Sequence, residues 1–162
     1  MTILVPLSAI SFPAFLETAI AGYARQNVAS GRWPAEGALE LSRAEHQRLL
    51  PEGIATKNNH IFEIHDPATD AVVGSLWLGV QNTTGIPLAY VFNIEVAPEH
   101  RRRGHAARAF KALESVVREL GLSAIGLNVF AYNTGAQALY ASLGYEVTAL
   151  SMRKRLGNES GI

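Results

Sequence analysis

Residues 88–97 (LAYVFNIEVA) form an almost unbroken apolar run that Pro98 cuts off, and an amphipathic helical pattern follows soon after. A run apolar on both sides reads as a strand with both faces covered, and proline ends it because its nitrogen has no ladder hydrogen to give. From about Arg103 to Leu120, the residues Ala106, Phe110, Leu113, Val117 and Leu120 recur at spacings of four, three, four and three, which is one face of a helix. Gly121 is a good terminator, and residues 123–130 (SAIGLNVF) read as another buried strand. Strand, helix and strand in that order require a parallel crossover, so this stretch commits the chain to a mixed sheet.

The rest of the chain supplies strands and helices around that unit. Residues 2–8 suit a short first strand. Ser11 is a candidate N-cap, with Pro13 in the first turn of a helix that runs to about Ser30 and stops at Gly31. Trp33-Pro34 turns the chain into a second helix, Ala35 to Leu50, with Ala38, Leu39, Leu41, Leu49 and Leu50 as its apolar members and Pro51-Glu52-Gly53 as its stop. Residues 60–65 (HIFEIH) alternate as a strand does, with Ile61 and Phe62 facing opposite ways. The turn at 66–70 leads into a strand at 71–80, giving a hairpin, and 81–87 form a loop. Asn133 to Leu143 reads as a short helix ended by Gly144. Residues 145–155 supply one or two last strands, and the tail GNESGI is expected to be loose. The expected fold class is α/β (α+β in some schemes). It is a single domain over residues 1–162, with a mixed, mostly antiparallel sheet, one parallel step between the strands at 88–97 and 123–130, and flanking helices.

Composition narrows the function. Lys+Arg and Asp+Glu each count 14 in 162 residues, so global charge recommends neither a nucleic-acid nor a membrane partner. Cysteine is absent, which excludes disulfides, thiolate metal sites and cysteine nucleophiles. The five histidines show no HxxxH or HxH spacing, and no metal is expected. No apolar run approaches the roughly 20 residues of a membrane span. The N-terminus lacks a basic start and a small-residue cleavage site, so a soluble cytoplasmic protein is the expectation.

The densest chemistry lies between Val96 and Arg108. Arg101, Arg102 and Arg103 precede Gly104, and Arg108 and Lys111 come a turn or two later. The first turn of a helix offers free N–H groups and a positive dipole end, which suit phosphate. Gly104 and Ala106 keep that turn bare. Basic side chains at a helix N-terminus cost stability unless an anion arrives. The alternative is a solvated basic helix start. The segment matches neither a Walker A loop nor GxGxxG.

Arg101-x-x-Gly104-x-Ala106, following an apolar strand that ends Ile94-Glu95-Val96-Ala97-Pro98, resembles the R/Q-x-x-G-x-G/A signature of the GNAT acetyltransferases. Residues 128–145 (NVFAYNTGAQALYASLGY) resemble that family's later motif, with Asn133, Ala136, Leu139, Tyr140, Gly144 and Tyr145 at the matching positions. The resemblance covers about 57–156, the expected acetyl-CoA-binding core; residues 10–55 match only as two helices on the family's variable acceptor side. It implies that amides from Arg102 or Arg103, through Gly104, His105 and Ala106, to Ala107, with Arg101 and Arg108 beside them, hold the pyrophosphate of acetyl-CoA. It implies a bulge in the 88–97 strand, with backbone groups of Ile94 and Val96 serving the pantetheine amides and the thioester carbonyl. Asn133 would contact the pantetheine arm. Tyr140, seven residues on and so on the same helical face, would be the general acid to the thiolate; the alternative is a core tyrosine.

Acetyl transfer needs a neutral amine, a stabilised oxyanion and a protonated leaving thiolate. A lysine-like amine has a pKa near 10.4 and arrives charged. Glu95 is the best-placed general base, since it interrupts an apolar strand beside the expected thioester, with Asn93 on the same face. It equally fits an ordinary cross-strand polar contact. Glu63, His60 and His65 are alternatives, acting through a water. Trp33, Tyr23 and Trp77 suit either an acceptor pocket or packing. The leading reading is an acetyl-CoA-dependent N-acetyltransferase acting on a primary amine of a small molecule or a peptide. A non-catalytic acyl-CoA-binding module of the same fold is the second. A nucleic-acid binder using the arginine cluster is the third, and the neutral net charge speaks against it. A homodimer is compatible with the resemblance.

Overall fold

The computed structural model describes residues 3–82 and 85–157. Thr2, two residues of the 81–87 loop and the end of the tail therefore lie outside the described residues. In chain order the elements are β1 (Leu4–Pro6), α1 (Phe12–Ala29), α2 (Ala38–Leu49), β2 (Asn59–His65), β3 (Val72–Gln81), β4 (Leu88–Val96), α3 (His105–Glu119), β5 (Ile125–Leu127) and α4 (Thr134–Ser142), with short 3₁₀ turns at Gly53–Ala55 and Pro98–His100. The five strands lie in sequence order in one sheet. Neighbours from β1 to β4 pair antiparallel, while β4 and β5 pair parallel. This is the single-domain α/β architecture expected, with its one parallel step.

The sheet separates two cores. On one face Leu4, Phe62, Ile64, Leu76, Leu78, Ala89 and Val91 pack with Ala109, Phe110, Leu113 and Val117 of α3. On the other, Ile61 and Trp77 pack with Phe15 and Ala19 of α1 and with Leu50. Adjacent residues Ile61 and Phe62 thus enter opposite cores, as strand alternation requires. Trp77 is core, 1 % exposed. Its ring stacks on Phe92 at 4.6 Å and its indole N–H donates to Asn59 Oδ1 at 2.8 Å.

Several boundaries moved for identifiable reasons. Ser11 stands at the N-cap of α1 but is helical in φ/ψ and makes no capping bond; its N–H and hydroxyl instead engage Ser8 Oγ. Of the apolar residues expected for α2, Ala38 and Leu50 are buried and Leu49 packs on the core, but Leu39 and Leu41 are not part of the buried face. Leu39 and Leu41 are exposed, while Ala38, Ser42 and His46, spaced by four, are buried. Ser42 Oγ donates to Ile20 O at 2.7 Å, so a buried hydrogen bond forms part of the α1–α2 contact. Helix α3 begins at His105 because Arg102 (φ 62°) and Gly104 (φ 79°) occupy the left-handed region, which a right-handed helix excludes. His105 and Ala109 join its buried face, whereas Leu120 is 39 % exposed. The 123–130 strand contracts to Ile125–Leu127. The last strands expected over 145–155 do not form, since the chain there finds no ladder partner among the described residues.

Candidate active site

Strand β4 changes its behaviour halfway. Trp77 pairs with Asn93 but Leu78 pairs with Val91, so Phe92 is an extra residue in β4, a bulge. Pairing with β5 stops at Val91–Leu127. The two strands therefore part at the bulge, and the second half of β4 has no neighbour on that side. Backbone direction follows by alternation. Ala89 N donates to Ala124 O on the β5 side, and Ala97 N donates to Val73 O on the β3 side. Counting back from Ala97, the backbone groups of Ile94 and Val96 face the gap. Val96 O is met there by Arg101 Nε at 2.9 Å. The Ile94 side chain, by contrast, packs into the α3-side core.

Just beyond, the arch from Arg101 to Gly104 leads into α3. Among the described residues, nothing accepts a hydrogen bond from the amides of Arg102 to Ala107, and Gly104 provides no side-chain cap. Six consecutive donors at a helix N-terminus form a concave, electropositive surface. Five of these residues, Arg102 and Gly104 to Ala107, border a cleft of about 330 Å³ that also touches Val96, His100 and Arg101 and reaches α4 at Gly135 and Leu139. Glycine suits position 104 by its φ of 79°; a Cβ there would meet only the movable end of the Arg108 side chain, 2.9 Å away at Nη1.

The remaining candidates fall around this cleft. Arg103 is exposed beside it. Arg108 turns back: its Nη2 donates to His105 Nδ1 at 2.8 Å. That bond assigns the imidazole proton to Nε2, a buried atom without a partner among the described residues. Burial first, and the Arg108 charge second, hold the His105 pKa below its ordinary value, so the ring is neutral. Asn133 is the N-cap of α4, its side-chain oxygen accepting from Ala136 N at 3.2 Å, which leaves its amide NH₂ free. It is therefore a cap outside the helix that holds Tyr140, and the seven-residue spacing does not place the two on one helical face. Tyr140 packs edge-on against Phe110 (5.3 Å) and near Tyr145 (5.8 Å). Burial raises its pKa. Its hydroxyl has no partner among the described residues, yet it is not sealed from solvent.

Glu95 lies on the opposite face of the sheet from Ile94. Registers place Glu63, Ser75 and Glu95 in one row across β2, β3 and β4. Glu63 Oε2 is 2.9 Å from His65 Nε2, and Asp70 Oδ1 is 3.1 Å from His65 Nδ1. These bonds, Glu63's foremost, raise the His65 pKa. His60 alternates to the face of Phe62, away from this row. Tyr23 meets Trp33 edge-on at 5.4 Å at the end of α1. Gly135, Leu139 and His100 also line the cleft, beyond the binding residues the sequence suggests. Leu139 sits beside Tyr140 in the later motif, which was the available signal; Gly135 gave none, since it has no positive φ and a Cβ there would meet nothing within 4 Å. Among the described residues no group of three or more His, Asp or Glu is placed to hold a metal ion.

This chain resembles known proteins. A model of the Acetyltransferase (GNAT) family matches residues 27–145. The uncharacterized N-acetyltransferase YycN of Bacillus subtilis is 31% identical over 157 residues, spanning 96% of this chain and 100% of that protein. YdgE, a second uncharacterized N-acetyltransferase from the same organism, is 31% identical over 145 residues, 90% of this chain and 92% of its own length. The crystal structure of YycN superposes with a TM-score of 0.88 at 30% identity, covering 94% of this chain and 97% of that one. The family match takes in both the arch before α3 and the Asn133–Tyr145 segment, and two relatives share nearly the full length: this chain is an acyltransferase and belongs to the GNAT acetyltransferase family.

Proposed function

We propose that this protein transfers an acetyl group from acetyl-CoA to a primary amine of a small molecule or peptide. The observation that carries the reading is the run of six unpartnered amides, Arg102 to Ala107, five of whose residues line a cleft that reaches α4. Such a run suits a diphosphate, whose oxygens accept several N–H bonds at once, and Arg101 to Arg103 add charge. When bound, acetyl-CoA supplies the activated acetyl thioester. The backbone groups of Ile94 and Val96, turned into the gap between β4 and β5, hold a linear amide chain by extending the sheet and offer an N–H to a carbonyl oxygen. The free NH₂ of Asn133 serves the same chain from the α4 side.

Tyr140 acts as the proton donor to the departing sulfur. Its raised pKa keeps the phenol protonated at neutral pH, the state a donor needs. Glu95, with Glu63 in the same cross-strand row, takes the proton of the amine on the other side of the sheet. The 10–55 segment forms the acceptor side and 57–156 the acetyl-CoA side.

Calorimetry with coenzyme A and steady-state kinetics with an amine panel test the reading together. The expected results are saturable binding and turnover. Tyr140→Phe should lower kcat by about 100-fold, within the range of general acid–base catalysis, with little change in acetyl-CoA affinity. No heat of association with coenzyme A rejects the assignment. Binding without transfer to any amine leaves the non-catalytic module.

A further inference from the structure

We propose that the acceptor is a short peptide whose C-terminal carboxylate docks on Arg32, Arg153 and Arg155, at the loop between α1 and α2. The fate of the amine at its other end rests on the acetyl-transfer reading, whereas the carboxylate site stands on its own geometry.

Three guanidiniums gather around residues 30–33. Arg32 is built in: its Nη1 donates to Asn27 Oδ1 at 3.0 Å and to Tyr23 Oη at 3.2 Å, and its guanidinium lies 5.8 Å from the centre of the Trp33 ring. Asn27 is fully buried, so the support under Arg32 is fixed. Arg153 donates to the carbonyls of Gly31 (3.0 Å) and Ser30 (3.3 Å). A Cβ built on Gly31 would meet Arg155 Nη2 at 2.7 Å and Arg153 Nη2 at 3.1 Å, so these two charges converge on one point. One arginine at a helix C-terminus is ordinary, since the dipole there is negative. Three around one loop repel one another unless an anion joins them. Among the described residues none of the three is within ion-pair distance of a carboxylate. Glu45, whose charge reaches Arg32, is itself bonded to Arg48. The partners of Arg32 are neutral and occupy only Nη1, which leaves Nη2 and Nε for the two oxygens of a carboxylate.

Aromatic contacts join this loop to the gap between β4 and β5. Tyr23 meets Trp33 edge-on. Tyr90 of β4 turns to the same face of the sheet, because Ala89 and Val91 on either side of it enter the α3-side core. Burial, and then the nearby Tyr23 phenol, raise the Tyr90 pKa. Tyr90 in turn touches Phe92, the bulged residue, at 5.0 Å between ring centres. Glu95, the proposed base, stands five residues beyond Tyr90 on β4. That length of strand extends roughly 15 Å, which an extended peptide of about four residues spans. A single amino acid is too short to reach both ends.

Tetra-alanine with a free carboxylate and the same tetrapeptide as its C-terminal amide are the probes, since they differ only in the charge at that end. Tryptophan fluorescence, with Trp33 beside Arg32, should show the acid binding about tenfold tighter than the amide in the presence of coenzyme A. Arg32→Gln and, separately, Arg153→Gln should abolish that difference, with the circular dichroism spectrum and the coenzyme A affinity unchanged. Equal affinities, no binding of either peptide, or a difference that survives both substitutions overturns the proposal. With acetyl-CoA, kcat/KM should favour the acid by the same factor. Preferential binding of the acid without its acetylation supports the carboxylate site and counts against acetyl transfer alone.

Discussion

The two faces of the sheet are held by different physics. Against α3, the interior is aliphatic and aromatic: Phe110, Leu113 and Val117 are each at most 3 % exposed, and the buried polar member is His105. Against α1 and α2, the interior is polar in part. Asn27 and Ser42 are fully buried and His46 nearly so. Each has its bond: Asn27 Nδ2 to Tyr23 O at 2.8 Å, Ser42 Oγ to Ile20 O at 2.7 Å, and His46 Nδ1 to Ser42 O at 2.8 Å. The α3 face draws on hydrophobic burial, which tolerates change poorly in volume but is indifferent to direction. The α1–α2 face draws on directional bonds, which fix one arrangement of two helices.

The contrast can be broken by mutation. The largest effect should come from Phe110→Ala, about 3–5 kcal/mol of destabilisation from lost burial and the cavity left behind, read by chemical denaturation. Ser42→Ala should cost only about 1 kcal/mol, the net worth of one hydrogen bond, since Ile20 O keeps its helical partner. Equal losses in the two variants would mean that the faces do not differ in the way described.

Acidification should produce the smallest effect. His105 on one face and His46 on the other are both held below their ordinary pKa, chiefly by burial. The unfolded chain therefore binds more protons below about pH 6.5, and stability falls as pH drops through that region. His65, whose pKa is raised, works in the opposite sense: its contribution is complete below about pH 6.5 and is lost as pH rises through its folded pKa. Melting from pH 7 to pH 5 should show a net fall that shrinks in both His46→Gln and His105→Gln. Shrinkage in one alone assigns the acid sensitivity to a single face.

The same division explains what could be read beforehand. Strand β4, the crossover and the body of α3 were legible because burial on that face leaves a period in the sequence. The buried face of α2 was not, since Ser42 and His46 look like solvent residues until their acceptors, Ile20 O on α1 and Ser42 O one turn back, are known. The start of α3 was misplaced because nothing in an Arg-Arg-Arg run announces that the middle arginine adopts φ 62°. Asn133 was placed within α4 when it caps it. Residues 145–155 have strand composition, and composition cannot say whether an edge is available to receive them.

Arg102 deserves a final consequence. A left-handed backbone costs a side-chain-bearing residue roughly 1 kcal/mol that glycine escapes. Arg102→Gly would thus relax the empty protein while removing a guanidinium from the mouth of the cleft. Selection for thermal robustness alone would drift toward glycine at this position. At this position backbone comfort and positive charge beside the cleft therefore pull in opposite directions.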